Sequence, residues 1–318
     1  MICVANSILD QCKQYGLNMN KLSGQGYDGC SAMSGHTNGV QALKRQTYLK
    51  AFFTHCTARK LNLVVQDLND VQEIRNTIAT VKSVITFFKR SALHRNLVSH
   101  IPLLSDTRWT SKYVSIRKFW ENFRSIFKQL KLLTQAGKSQ AQAFPLYCAC
   151  NTSTFIIFLA IIAKYSAILE PLAQHLQKIN IHILDIQNHI EELLTIMKNH
   201  RSNAQDKFHD IFPDVSKLCE DFEIVLLLPR QCFLQRNRSN PQIIDPEQYY
   251  RCTVYIRYLD SLVCSLKDRF SQIDSPHLNS FLLHSKISKN MKKEDYDVKM
   301  KRIEKLYSIE NFMVWSSE

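Results

Sequence analysis

The sequence predicts a small α/β layer followed by a large all-helical region. Residues 1 to about 69 mix short apolar runs with turn signals, and five of the seven glycines lie between Gly16 and Gly35. From about residue 70 onward, apolar residues recur every three or four positions, which is the period of an amphipathic helix. The length of 318 residues and the hydrophobic content of 45% fit two domains with a buried core. We place these domains at residues 1–69 and 70–318.

Strands and helices alternate in the first region, and such alternation is typical of an α/β layer. Gly16 is a stop signal for the first helix, and Asn38 is a candidate N-cap for the second. The predicted elements are, in order, helix Ser7–Tyr15, strand Lys21–Asp28, helix Asn38–Gln46, strand Tyr48–Thr54 and helix Ala58–Leu68.

Apolar stripes dominate the second region and predict its helices. Asp106 and Asp245 are candidate N-caps, and Pro246 directly after Asp245 strengthens the second assignment. The apolar run Phe155–Ala163 is shorter than the about 20 residues that span a bilayer, so we predict a buried helix and no membrane partner. The stripes run over Val71–Phe88, Trp109–Leu130, Ile186–Met197 and Leu259–Phe270, with loops near Gln135–Pro145, Asn199–Pro213 and Pro229–Pro246.

Charge and cysteine content narrow the class of protein. Lys and Arg exceed Asp and Glu by 41 to 28, a net charge of +13, which favours a polyanionic partner such as nucleic acid. Solubility alone is the alternative explanation of this charge.

The N-terminus has no secretory signal, so the ten cysteines predict an intracellular, reduced protein. Neither Cys148/Cys150 nor His55/Cys56 matches a zinc-ligand pattern, and we expect Cys56 to be a buried small residue.

One acid stands out as a candidate site residue. Asp28 lies between Gly26 and Gly29 in the segment SGQGYDGCSAMSG. Glycine allows sharp turns and close backbone approach, so this pattern suggests a strand end that presents a carboxylate to an open site. A pair of Mg²⁺ ions requires several carboxylates, and Asp28 alone cannot hold such a pair.

Three segments in order resemble the motifs of hAT-family transposases and their domesticated host relatives, such as the MYM-type zinc-finger proteins. They are GYDG at 26–29, HCTARKLNL at 55–63 and DTRW at 106–109. The resemblance implies a partial ribonuclease-H-like core followed by a large helical insertion domain. It also implies a Mg²⁺-binding Asp-Asp-Glu set, in which Asp28 matches the second Asp.

The first Asp and the Glu of that set have no recognisable counterpart here, and Arg59 stands where the family has a histidine. The resemblance therefore implies a chain truncated at both ends, with Asp28 a vestigial catalytic and metal residue. It implies no strand transfer and no cofactor beyond an ancestral Mg²⁺. The same comparison makes Trp109 and Arg108 candidate nucleic-acid-binding residues, although Trp109 also fits an apolar core stripe.

Three functional hypotheses follow. The first is a catalytically inactive protein, nuclear or cytoplasmic, that binds DNA non-specifically or other transposase-like chains, including by dimerisation. The second is a Mg²⁺-dependent transposase or nuclease whose missing acids come from another chain, and the third is a transposon relic without function. A sheet without its opening strands leaves an unpaired edge, so we also predict association of the isolated protein.

Overall fold

In the residues that it describes, the computed structural model shows a mostly helical protein with a two-stranded parallel sheet. The chain divides into two compact units. The first unit is formed by residues 1–61 and 268–318, and the second by residues 62–267. The residues that the structure describes are 1–22, 24–27, 29–68, 71–90, 92–97, 101–104, 109–135, 137, 139–176, 183–226, 228, 245–270, 292–294, 296–298 and 300–301.

The first unit contains a β-α-β arrangement. Helix α1 ends before Gly16, whose φ of 75° suits glycine and confirms the predicted stop. Strands β1 and β2 pair in parallel, in a register from Gly24 opposite Phe52 to Tyr27 opposite His55. The elements are α1 (Ile2–Gln14), a 3₁₀ turn (Met19–Lys21), β1 (Gly24–Tyr27), α2 (Ser31–Ser34), α3 (Val40–Thr47), β2 (Phe52–His55) and α4 (Thr57–Asp67), within which the unit boundary falls.

Several predicted details in this unit are wrong. Gly39, and not Asn38, occupies the N-cap position of α3, and no side chain caps this helix. Strand β2 begins at Phe52 instead of Tyr48, because the amide of Ala51 bonds the carbonyl oxygen of Tyr48 at 2.9 Å and closes a turn there. Helix α1 begins at Ile2 instead of Ser7, and β1 begins at Gly24 instead of Lys21, which lies in the 3₁₀ turn. The order of helices and strands agrees with the sequence pattern.

Helix α10 (Ser153–His175) forms the centre of the second unit. The Thr152 hydroxyl caps it by accepting a hydrogen bond from the amide of Phe155 at 3.2 Å. Its length and composition would suffice to cross a membrane, but 78% of its most apolar window is buried inside the protein. The predicted buried helix at Phe155–Ala163 is therefore confirmed, and it packs against α5 (Gln72–Arg90), α7 (Trp109–Glu121), α9 (Gln140–Cys150) and α13 (Phe212–Asp221).

The apolar stripe predicted over Trp109–Leu130 spans two helices and not one. Helix α7 ends at Glu121 and α8 (Phe123–Leu133) begins after Asn122, whose side-chain amide bonds the carbonyl oxygen of Lys118 at 2.8 Å. Asparagine favours such local bonds over a regular helix interior. The buried aromatic residue before the break is Phe119, whereas Trp120 is half-buried.

Further helices in the described residues are α6 (Ala92–Arg95), α11 (Ile183–Ser202), α12 (Ala204–His209), α14 (Pro246–Tyr250) and α15 (Ile256–Phe270). A π-helical turn at Arg251–Tyr255 joins the last two. The predicted Asp245 cap is confirmed, since its carboxylate accepts bonds from the amides of Glu247 and Gln248. The predicted loops over 135–145 and 199–213 are partly wrong, because α9 begins within the first and α12 lies within the second. Asp106 and most of the predicted loop at 229–246 lie outside the described residues.

Candidate functional site

The carboxyl ends of the two parallel strands form the candidate site. Tyr27 and His55 are the last residues of β1 and β2, and they lie opposite each other in the register. The amide of Cys56 donates a 3.0 Å hydrogen bond to the carbonyl oxygen of Tyr27, so the pairing continues one step past the strands. Strands of a parallel pair end on the same side, where α/β proteins commonly bind their ligands.

The residues singled out from the sequence fall largely outside what the structure describes. Asp28, which follows Tyr27 in the chain, lies outside it, and so does Arg108. Trp109 is the first residue of α7, and its side chain is not among those described. Their assignment to catalysis, metal binding or nucleic-acid binding stays a prediction.

A lysine of α3 contacts the end of β1. The ammonium group of Lys44 donates a 2.8 Å hydrogen bond to the Tyr27 hydroxyl and lies 5.5 Å from the centroid of the same ring. Lys44 is only 4% exposed, so this bond compensates for much of the hydration that its ammonium loses. Next to it, the guanidinium of Arg45 lies 5.3 Å from the centroid of the Phe52 ring.

His55 lies among other basic side chains at the end of β2. Its ring packs edge-on against Phe53 at 4.6 Å between centroids. Burial lowers the pKa of His55, and the positive charges of Lys60 and His36 lower it further. The pKa of Lys60 is also lowered, through burial. We call the set Tyr27, His36, Lys44, His55 and Lys60 the basic edge.

Backbone and amide contacts hold the basic edge in place. The side-chain amide of Gln25 in β1 donates 3.0 Å bonds to the carbonyl oxygens of Gln41 and Ala51, which fixes α3 and the start of β2 against β1. The turn before α3 is tight, because a Cβ on Gly39 would lie 2.4 Å from the amide nitrogen of Gly35. By contrast, a Cβ on Gly24 or Gly26 would meet ordinary contacts at 3.9 Å, so these two strand glycines do not serve a close approach.

The donors of the basic edge do not fit Mg²⁺. This ion prefers oxygen ligands in octahedral geometry, whereas ammonium groups and imidazoles repel or bind it poorly. In the part of the chain that the structure describes, no group of three or more His, Cys, Asp or Glu could hold a metal ion. The basic edge instead suits an anion that approaches the ends of the strands.

Cys56 is exposed, so the expectation that it is buried is wrong. The residue follows β2 on the side where the strands end.

Sequence reasoning missed the basic edge. Lys60 lies within the motif-like segment 55–63 and could have been noticed there as a cation close to His55. Nothing in the sequence predicts the hydrogen bond between Lys44 and Tyr27, which lie 17 positions apart.

Comparison with known proteins relates the N-terminal part of the chain to a described protein family. Residues 2–39, which include β1 and Asp28, match the family model DUF4371, described as the ZMYM1/FAM200 RNase-like domain. The chain is 21% identical over 282 residues to the human 52 kDa repressor of the inhibitor of the protein kinase, and 19% identical to the mouse protein. This chain is related to that repressor.

The relation to the 52 kDa repressor confirms the predicted resemblance to domesticated transposase-derived proteins. The matched region covers 82% of this chain and 37% of either repressor, so the chain spans little more than a third of the length of these relatives. No solved structure matches the chain.

Proposed function

We propose that this chain is a transposase-derived protein that binds nucleic acid without cleaving it. The observation that carries the proposal is the basic edge, in which the ammonium groups of Lys44 and Lys60 lie close to Tyr27 and His55 at the carboxyl ends of the two strands. Phosphate groups are the natural ligands of lysine side chains at such a position. Descent from an hAT-type transposase, with a partial ribonuclease-H-like core before a helical insertion domain, is part of the proposal. It is supported by the three ordered segments and by the match to the RNase-like domain.

Lys60 offers a direct test of DNA binding at the basic edge. We propose measuring the affinity of a fluorescent duplex at several salt concentrations for the wild type and for Lys60→Gln. Loss of one phosphate contact lowers the slope of log affinity against log salt by about 0.9. Lys21→Gln is the matched control, because Lys21 is exposed, belongs to the same unit and precedes β1 at the other end of the strands.

The expected result is a weaker affinity and a smaller salt slope for Lys60→Gln, with Lys21→Gln unchanged. Equal losses in both variants would mean that net charge, and not the basic edge, governs binding. Cleavage of the duplex by the wild type with added Mg²⁺ would favour the alternative of a nuclease, with acids supplied by another chain.

A second candidate function is pairing with another protein chain. Within the described residues the sheet has two strands, so β1 and β2 each have one outer edge. Exposed strand edges are templates for pairing with further strands. Light scattering at micromolar concentration tests this candidate, which predicts dimers or larger species and is contradicted by a monodisperse monomer.

A further inference from the structure

Helix α5 of the helical unit is strongly basic. It carries Arg75, Lys82, Lys89 and Arg90 against a single acid, Glu73. Arg75, Lys82 and Arg90 are exposed, and Lys89 is half-buried.

Helix α13 in the same unit has the opposite balance. It carries Asp214, Glu220 and Asp221 against Lys217. Helix α8 is basic as well, with Arg124, Lys128 and Lys131, and Arg124 forms an ion pair with Asp221 of α13. The helices of this unit therefore differ in charge, and an evenly spread solubilising coat does not describe them.

The cations of α5 share the side that faces away from the core. Residues 75, 82 and 89 are separated by seven positions, so they drift by only about 20° per step around the helix. Arg95 of α6 donates a 3.1 Å hydrogen bond to the carbonyl oxygen of Lys89, which adds an exposed guanidinium at the end of α5. The opposite side of α5 is buried through Ile74, Thr77, Val81, Val84, Ile85, Phe87 and Phe88.

We propose that this α5 basic face, formed by Arg75, Lys82, Lys89, Arg90 and Arg95, binds the phosphate backbone of duplex DNA. Seven residues of helix rise about 10 Å, which is close to the about 12 Å width of the major groove of B-DNA. Successive cations along one line can therefore reach phosphates on both sides of a groove. The contacts are to phosphates, so they position the protein without reading sequence. The inference rests on the proposed nucleic-acid-binding function and adds a surface in the helical unit.

The test uses the full chain and a random duplex of about 20 base pairs, with binding measured from about 50 to 200 mM salt. The variant is Lys82→Gln/Arg90→Gln, which removes two exposed cations and keeps good helix formers. The control is Lys198→Gln/Lys217→Gln, which removes two exposed cations from α11 and α13 and gives the same change in net charge. Circular dichroism checks that both variants fold.

We expect the α5 variant to lose about tenfold or more in duplex affinity and to lower the salt slope by about 1.8, while the control stays near the wild type. Equal affinities for the α5 variant and the wild type would overturn the inference and leave the proposed function intact. A wild type that fails to bind DNA would overturn both. Tighter binding of the wild type to a single strand of equal length would also contradict the assignment to duplex DNA.

Discussion

The ammonium group of Lys44 bonds the hydroxyl of Tyr27 at 2.8 Å and lies over the same ring. This contact joins α3 to the end of β1, and it directs a buried cation to the end of the strand that precedes Asp28. Tyr27→Phe keeps the ring but removes the acceptor of a charged hydrogen bond. The variant should lower the free energy of unfolding by about 1.5–3 kcal/mol.

Urea unfolding measures this change, and Tyr15→Phe is its control, since Tyr15 is 75% exposed. If both phenylalanine variants unfold at the same urea concentration as the wild type, the Lys44–Tyr27 bond does not stabilise the first unit.

The turn between α2 and α3 predicts a contrast between two glycines. Gly39→Ala should lower stability by about 1–3 kcal/mol, because its Cβ would lie within 2.5 Å of backbone atoms of Gly35. Gly24→Ala should change stability by no more than about 0.5 kcal/mol, since its Cβ would lie 3.9 Å from the nearest atom, the Phe52 carbonyl oxygen. Thermal unfolding of the two variants distinguishes them, and equal melting temperatures would be inconsistent with this turn.

Two buried tyrosines of the helical unit predict opposite responses to the same substitution. The Tyr165 hydroxyl lies 2.7 Å from that of Tyr255 and 3.0 Å from Nδ1 of His200. Tyr165→Phe leaves both partners without this bond and should lower stability by about 1–3 kcal/mol. The Tyr113 hydroxyl is buried without a hydrogen-bond partner in the described part of the chain, so Tyr113→Phe should be neutral or stabilising. Urea titration of both variants measures the difference, and a larger loss for Tyr113→Phe would contradict the network.

His200 makes the stability of the helical unit depend on pH. Burial lowers its pKa below the ordinary value of 6.5, and the charges of Lys164 and Lys207 lower it further while Asp210 opposes them. Below pH 6.5 the unfolded chain therefore binds the proton more readily than the folded one, and stability falls as the pH decreases. His200→Asn should lose less stability than the wild type between neutral and mildly acidic pH. The difference in urea midpoint at two pH values tests this, and identical losses would exclude His200 as a contributor.

Removal of Asp28 should leave DNA affinity unchanged or slightly raised. A carboxylate makes no favourable contact with phosphate, so its loss cannot remove one. Gel shifts of Asp28→Ala with and without Mg²⁺ measure the effect. A large loss of Mg²⁺-dependent binding would show that Asp28 still holds a metal ion.

Periodicity predicted much of the fold, because burial determines where apolar residues recur. It located α5 and the buried side of α15, whereas α10 was predicted from its continuous apolar run and the cap at Asp245 from its Pro246 neighbour. Periodicity failed at Asn122, because the apolar stripe continues although the helix is interrupted there. At this interruption the Asn122 side chain bonds the carbonyl oxygen of Lys118. A pattern of hydrophobicity does not register such a local bond.

The sequence predicted where the candidate site lies but not which side chains form it. The segment around Asp28 pointed to the end of a strand, and β1 ends one residue before it. The basic edge could not be read from the sequence, because it depends on the register that pairs Tyr27 with His55 and on the packing of Lys44 from α3. Contacts between residues far apart in the chain require the fold itself.

We propose that this transposase-derived chain binds DNA without cutting it. The most direct measurement is incubation of supercoiled plasmid with the protein and Mg²⁺ or Mn²⁺, followed by electrophoresis before and after removal of the protein. We predict that the plasmid migrates more slowly while protein is bound and is recovered fully supercoiled. Nicked circles that form with the wild type and disappear with Asp28→Ala would contradict the account.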